Sequence, residues 1–335
     1  MKICLFQDDE KIFRKSGIGR ALKHQREALR LAKVDFTLDY KDEYDIIHLN
    51  TINPKSFMLA KLAKKNHKKV VFHAHSTEED FRNSFALSNQ IAPLFRKWLI
   101  KCYSTADVLL TPTPYSKTLI DKMGFKVPII PISNGINLDD FRLNNEKKKK
   151  FQRHFKLNKQ QKTIISVGHY FERKGIIDFI EIARSFPDIK FIWFGHTSST
   201  LLTENVKKAI RNKPGNVILP GYIDGDIIQG AFQSADMFFF PSYEETEGIV
   251  VLEALASKTQ VLVRDIEVYS PWLKNKTNCF MGRDNNEFKK TIEDYLDGKI
   301  DSTVESGYKV AEERSIEKIG NQLKNIYQQI LKNEL

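Results

Sequence analysis

Glu245 and Glu253 stand in YEETEGIVVLEALAS (243–257), seven residues between them and Gly248 among those seven. Glu253 interrupts the apolar run VVLEALA. A buried carboxylate without a partner costs several kcal/mol, so Glu253 requires a partner inside the protein or from outside it. Thr246 is the expected N-cap of a helix running through Ala256. The first N–H groups of such a helix, at Gly248, Ile249 and Val250, would bind an anion, and Gly248 has no Cβ to hold it off. A carboxylate on either side can accept two hydrogen bonds from a vicinal diol. Together these groups suit a phosphate and a sugar. The competing reading is structural: Glu245 and Glu247 complement the helix dipole and Glu253 is paired within the core. The residues alone leave both open.

Four further stretches carry chemistry-bearing side chains. ISVGHYFERKG (165–175) places His169, Arg173 and Lys174 ahead of a helix, where the dipole disfavours cations unless an anion joins them. KSGIGRALKHQ (15–25) sets Gly17 and Gly19 at a helix start. It lacks the GxGxxG fingerprint, which argues against a nicotinamide dinucleotide. VVFHAHSTEEDF (70–81) carries His73 and His75 on one face of a strand. Zinc would need further ligands at useful spacing, and none follows, so no metal is expected. LPGYIDGD (219–226) offers Tyr222 and Ile223 either as flanks of a planar base or as part of a plain strand-to-helix turn.

The elements that position these residues form a repeating pattern. Short apolar runs at 2–6, 44–49, 69–74, 107–111 and 127–132, then at 163–168, 189–195, 216–221, 236–241 and 259–264, alternate with helical patterns. Continuous apolar strands separated by helices indicate parallel sheets covered on both faces. The chain of 335 residues is long enough for two such domains. The expected architecture is α/β with two doubly wound, Rossmann-like domains facing a cleft, ligands lying at the carboxyl ends of the strands. The expected boundaries are an N-terminal domain over 1–145, a basic linker over 146–161 and a C-terminal domain over 162–314. An amphipathic helix over 315–335, with Ile316, Ile319, Leu323, Ile326 and Ile330 in register, would pack back on the first domain.

The formal charge of +11 suggests a polyanionic partner. No nucleic-acid module is recognisable, and Cys4, Cys102 and Cys279 show no ligand spacing. No apolar run approaches the roughly 20 residues that span a bilayer. The segment 86–104 presents Leu94, Trp98 and Leu99 with Arg96, Lys97 and Lys101 nearby. That pattern fits a helix lying in an anionic membrane interface, or an ordinary core-facing helix with solvated cations.

Glu245, seven residues, Glu253, then Ala254 and Ala256, all after a strand ending in Pro241–Ser242, resembles the signature of the retaining GT-B glycosyltransferases of family 4. The resemblance covers nearly the whole chain. It implies a nucleotide-sugar donor and neither metal nor cofactor. It assigns Glu245 to the donor hexose, Glu253 to the ribose, and Gly248 with Ile249 to the diphosphate. Lys174 matches the family's phosphate-binding lysine, His169 stands where an arginine is usual, and Arg173 is adjacent to compensate. Gly17 and Gly19 correspond to the glycine-rich loop near the donor phosphate, Tyr222 and Ile223 to the base pocket, and His75 to the histidine beside the reacting sugar. Several stretches, among them HLNTINPKS, TEEDFRNSF and RDIEVYSPWL, look like the subgroup that adds a second hexose to monoglucosyl-diacylglycerol. The implied donor is UDP-glucose or UDP-galactose, the implied acceptor is glucosyl-diacylglycerol, and the implied product is the dihexosyl glycolipid that anchors lipoteichoic acid. The implied location is the cytoplasmic face of the membrane, held peripherally by Arg96, Lys97, Trp98 and Lys101. A family 4 enzyme acting on another envelope glycan, and a non-catalytic basic protein binding membrane or nucleic acid, are the rival readings.

Overall fold

A computed structural model describes residues 1–6, 17–158 and 160–335. The start of the glycine segment, Lys15 and Ser16, lies outside the described residues. The chain divides into two compact units. The first comprises Met1–Phe81, Gln90–Asn137 and Arg314–Leu335; the second comprises Arg82–Asn89 and Leu138–Glu313.

In the first unit, six parallel strands are ordered β2-β1-β3-β4-β5-β6. They are β1 (Lys2–Phe6), β2 (Asp35–Thr37), β3 (Ile46–Leu49), β4 (Lys69–His73), β5 (Val108–Thr111) and β6 (Ile129–Pro131). Alternate side chains feed opposite faces. Cys4, Phe6, Ile47, Leu49, Val70 and Phe72 pack on one side with the helices Pro54–Lys65 and Ser88–Tyr103. Ile3, Leu5, Ile46, Val71 and Leu110 pack on the other. The C-terminal helix Ile316–Lys332 covers that second face through Ile319, Leu323, Ile326, Tyr327 and Ile330, beside the helix Gly17–Leu31.

The second unit repeats the plan with the order β12-β11-β10-β7-β8-β9, again parallel. Its strands are β7 (Thr163–Val167), β8 (Lys190–Phe194), β9 (Val217–Gly221), β10 (Met237–Phe240), β11 (Val261–Arg264) and β12 (Phe280–Gly282). Its core centres on Ile164, Phe179, Phe191, Trp193, Phe239 and Phe288. β2 and β12 have no counterpart in the sequence reading. Each is a three-residue strand at a sheet edge that, unlike the equally short β6, lies in no continuous apolar run.

The stretch expected as a linker, 146–161, is not one along most of its length. The helix Asn145–His154 is capped by Asn144, whose side chain accepts from the N–H groups of Glu146 and Lys147. Its Phe151 is fully buried, and the helix packs along Asp226–Ser234, with Lys147 Nζ donating to Gln229 at 2.6 Å and Lys150 paired with Asp226. Burial of one aromatic and a second row of polar contacts hold a strongly basic segment as part of the unit. Residues 82–89 also belong here: Ala86 N–H donates to Leu201 O at 3.1 Å.

Candidate active site

Two connections at the carboxyl edge of the second sheet meet. The loop after β7 passes through a short 3-10 turn, Glu172–Lys174, and enters the helix Ile176–Arg184 at Gly175. Gly175 is left-handed, with φ +77°, and a Cβ there would stand 2.3 Å from Pro241 O. That close approach brings the end of β10 against Lys174. Lys174 Nζ lies 2.5 Å from Glu245 Oε1, and Ser242 Oγ donates to the same oxygen at 2.7 Å. Both charged side chains are largely buried, at 15% and 7% exposure.

The helix after this loop starts later than Thr246. Gly248 is its N-cap at φ +85°, and the helix runs Ile249–Ala256. A left-handed residue turns the chain sharply into the helix, and glycine adopts it without the Cβ penalty that threonine would incur. Glu253 sits in the second turn and is buried, 4% exposed. Tyr269, fully buried, brings its hydroxyl to 3.0 Å from where a Cβ on Gly248 would stand. Burial, with Glu245 adding, raises the Tyr269 phenol well above its usual value, so it remains an O–H donor.

The remaining candidates of this unit have different settings. Arg173 is buried and turned into the protein: Nε donates to Ser84 Oγ at 2.9 Å and Nη1 to Glu244 O at 3.0 Å, while its N–H donates to Asn83 O. Those bonds tie Arg173 to the loop that carries Glu245. His169 Nδ1 donates to His196 O at 2.8 Å, and the ring stacks on Phe171. Burial lowers its pKa, with Lys174 and Arg173 adding, so it is uncharged near neutrality. Tyr222 and Ile223 are half-buried after β9, the edge strand.

Sequence reasoning missed Arg264 and Tyr269, and took Ser242 only as the mark of a strand end. Arg264 Nε donates to Pro241 O at 3.1 Å, Nη1 donates to Arg283 O, Nη2 pairs with Asp178 at 3.3 Å, and its plane lies 3.8 Å from the Tyr243 ring. It braces the end of β10 at the same carbonyl, Pro241 O, that Gly175 approaches. A charge closing the apolar strand VLVR was the available signal.

In the first unit, Gly17 and Gly19 open the helix Gly17–Leu31. His75 follows β4 and donates from Nε2 to Asn50 Oδ1 at 3.0 Å. His73 stacks on it at 4.2 Å. Burial lowers the His75 pKa to about 4, so the ring is neutral. No group of three or more His, Cys, Asp or Glu side chains among the described residues is arranged to hold a metal ion.

The helix Ser88–Tyr103 corrects the interfacial reading of Trp98 and Leu99. Trp98 Nε1 donates to Ile52 O at 2.7 Å and its ring packs on Phe57, while Leu99 is fully buried. They share the inward stripe with Ala92, six and seven positions earlier, and Cys102, four and three positions later. The outward stripe is Ile91, Leu94, Lys97 and Lys101, with Leu94 66% exposed. Arg96 lies beside it, 3.7 Å from Glu78. Met58 and Leu62 are exposed on the neighbouring helix Pro54–Lys65. No helix among the described residues is long and apolar enough to cross a membrane.

Two parallel six-stranded sheets, each covered by helices, with the polar side chains gathered at the carboxyl ends of the strands, define the GT-B class. Residues 147–312 match the family model described as glycosyl transferases group 1, and residues 10–140 match glycosyltransferase family 4. Over 333 residues, 99% of each chain, the protein is 49% identical to the processive diacylglycerol alpha-glucosyltransferase of Acholeplasma laidlawii. It is 26% identical to the alpha-galactosylglucosyldiacylglycerol synthase of Streptococcus pneumoniae, over 88% of this chain and 80% of that one. Among solved structures, Anabaena HepE in complex with UDP and glucose superposes with a TM-score of 0.78, covering 98% of this chain and 100% of the other at 15% identity. The chain belongs to the family 4 glycosyltransferases and has their GT-B fold.

Proposed function

We propose that this protein transfers a hexose from UDP-glucose to the sugar hydroxyl of monoglucosyl-diacylglycerol, with retention and without a metal or cofactor, giving a dihexosyl-diacylglycerol. The observation that carries the reading is the 49% identity, over 99% of both chains, with a processive diacylglycerol glucosyltransferase. UDP-galactose is the second donor to consider, because the pneumococcal relative is a galactosylglucosyl-diacylglycerol synthase. The test is UDP release from each donor with glucosyl-diacylglycerol dispersed in vesicles. Release above the hydrolytic background with UDP-glucose is expected. Release that requires a different acceptor glycan, or no release, refutes the assignment.

In this reading Glu253 accepts from the ribose hydroxyls, and the helix end at Gly248 and Ile249 donates N–H groups to the diphosphate. Lys174 neutralises the charge that grows on the departing UDP. Glu245, already anchored by Lys174 and Ser242, orients the hexose hydroxyls. His75 lies beside the reacting sugar. The bond from the acceptor oxygen to the anomeric carbon forms as the bond from that carbon to the UDP oxygen breaks. The acceptor's proton goes to the leaving phosphate. Removing the ribose contact has a definite expected outcome. Glu253→Ala raises the KM for UDP-glucose at least about tenfold, since charged hydrogen bonds contribute roughly 1.5–3 kcal/mol. Steady-state kinetics on a folded variant check this, and unchanged KM removes Glu253 from the donor site.

The outward stripe of Ser88–Tyr103 suits a peripheral position on the cytoplasmic leaflet, where UDP-sugars are supplied. Leu94 and Ile91 would enter the headgroup boundary while Lys97 and Lys101 meet anionic lipid. Each such cation contributes roughly 1 kcal/mol near the surface. Lys97→Ala with Lys101→Ala therefore weakens sedimentation with phosphatidylglycerol vesicles by roughly 30-fold at low salt, and added salt weakens wild-type binding. Salt-independent binding, or equal binding by both proteins, defeats the membrane reading.

A further inference from the structure

Behind His75 lies a buried chain of polar side chains assembled from four separate elements. Asn50 follows β3 and His75 follows β4, neighbouring strands whose carboxyl ends are adjacent. Gln25 comes from the helix Gly17–Leu31, His48 from β3 and Tyr327 from the C-terminal helix. Asn50 Nδ2 donates to Gln25 Oε1 at 2.8 Å, and the other end of the Asn50 amide, Oδ1, receives His75 Nε2 at 3.0 Å. With its oxygen engaged, Gln25 turns its Nε2 toward His48, 3.1 and 3.2 Å from the two ring nitrogens. His48 Nδ1 is 2.6 Å from the Tyr327 hydroxyl. Four of these groups, Gln25, His48, Asn50 and His75, are buried in the range 0–8% exposure, and Tyr327 is fully buried.

Such a chain has a direction. Each amide has one accepting and one donating end, so the orientation of one fixes the next. The Asn50 oxygen faces His75, which requires the His75 proton on Nε2. A neutral imidazole then carries its lone pair on Nδ1. His73 stacks on the other side of the His75 ring at an interplanar angle of 7°, and stacks on His48 at 16°, so the ring plane is set as well as its tautomer. Burial keeps His48 and His73 neutral, so neither adds a charge to the chain.

We propose that Asn50, itself held by Gln25, is a positioning residue that fixes His75 as the Nε2–H tautomer and so presents Nδ1 to the donor hexose as a hydrogen-bond acceptor. The inference rests on the placement of His75 beside the reacting sugar. It adds that this histidine accepts from a sugar hydroxyl rather than donating to it. It also assigns Asn50 and Gln25 to the upkeep of the reaction.

Long-range proton–nitrogen correlation spectra of the full-length protein carrying nitrogen-15 histidine read the tautomer directly, with His75→Gln supplying the assignment. The wild-type ring is expected to be protonated at Nε2 alone. Asn50→Leu releases the ring to a mixture, and kcat falls about tenfold with little change in the KM for UDP-glucose. Gln25→Leu acts in the same direction. A wild-type ring protonated at Nδ1 overturns the proposal, as does an Asn50→Leu enzyme with unchanged tautomer and unchanged kcat. Should Asn50→Leu not fold, the wild-type spectrum and Gln25→Leu decide. A His75→Ala enzyme of full activity would instead sink the placement of His75 at the sugar, while the tautomer measurement still judges Asn50.

Discussion

Replacing Lys174 by alanine is expected to lower kcat by about 10²–10³-fold, the magnitude found when one preorganised donor to a developing charge is lost. The ammonium is held beside Glu245, largely shielded from water, and a charge in such a place acts at low effective dielectric. The substitution also leaves the Glu245 carboxylate buried with Ser242 as a neutral donor, and an unpaired buried charge is destabilising in its own right. The two effects separate in the pair of variants Lys174→Ala and Lys174→Ala/Glu245→Gln. The double variant recovers stability in urea denaturation, because the orphaned charge is gone, but its kcat stays well below that of Glu245→Gln alone, the reference for the loss of Glu245 at the hexose. A double variant with the kcat of Glu245→Gln would show that Lys174 acts only as a structural partner of Glu245.

Gly175→Ala is expected to destabilise the protein by roughly 2–5 kcal/mol and to disable catalysis. Two costs add. A left-handed backbone disfavours a Cβ by roughly 1–2 kcal/mol, and the new methyl would stand 2.3 Å from Pro241 O, forcing a backbone shift of the kind that overpacking costs at roughly 1–3 kcal/mol. Arg264 braces Pro241 O as well, so the displacement disturbs a buried ion pair with Asp178. Ser242 and Glu245 follow directly, and the loop can no longer hold Glu245 on Lys174. Gly215→Ala is the control, since a Cβ there meets nothing within 4 Å; it is expected to stay within about 0.5 kcal/mol of the parent. Denaturation and kcat/KM measured on both variants check the contrast. Equal stability of the Gly175 variant and the parent would remove the close approach from the account.

Ten of the twelve strands among the described residues were legible as apolar runs between helical patterns, because a strand buried on both faces is written as consecutive apolar residues. β2 and β12 were not, since DFT and FMG stand in no continuous apolar run, whereas β6, equally short and also at an edge, lies within VPIIPI. The basic segment around Asn145–His154 looked like linker because its charge dominates its composition. A single buried phenylalanine and a cap decide the matter, and neither is visible in an average. Trp98 and Leu99 looked interfacial because they are apolar beside lysines. Their helix turns them inward, and the truly exposed Ile91 and Leu94 belong to the stripe three positions away.

The sequence by itself determined the two parallel α/β units and the residue types of the candidate site, because both depend on short-range features: strand-length apolar runs, a glycine ahead of a helix, a carboxylate in an apolar run. Only the tertiary structure decided what each polar group does. It set Lys174 on Glu245, turned Arg173 and Arg264 inward to brace that loop, left His169 uncharged, and joined Gln25, His48, Asn50, His75 and Tyr327 into one buried chain. The physical reason is that a polar side chain's role follows from its partners and its burial. Those partners come from elements as far apart as residues 48 and 327, which no local spacing records.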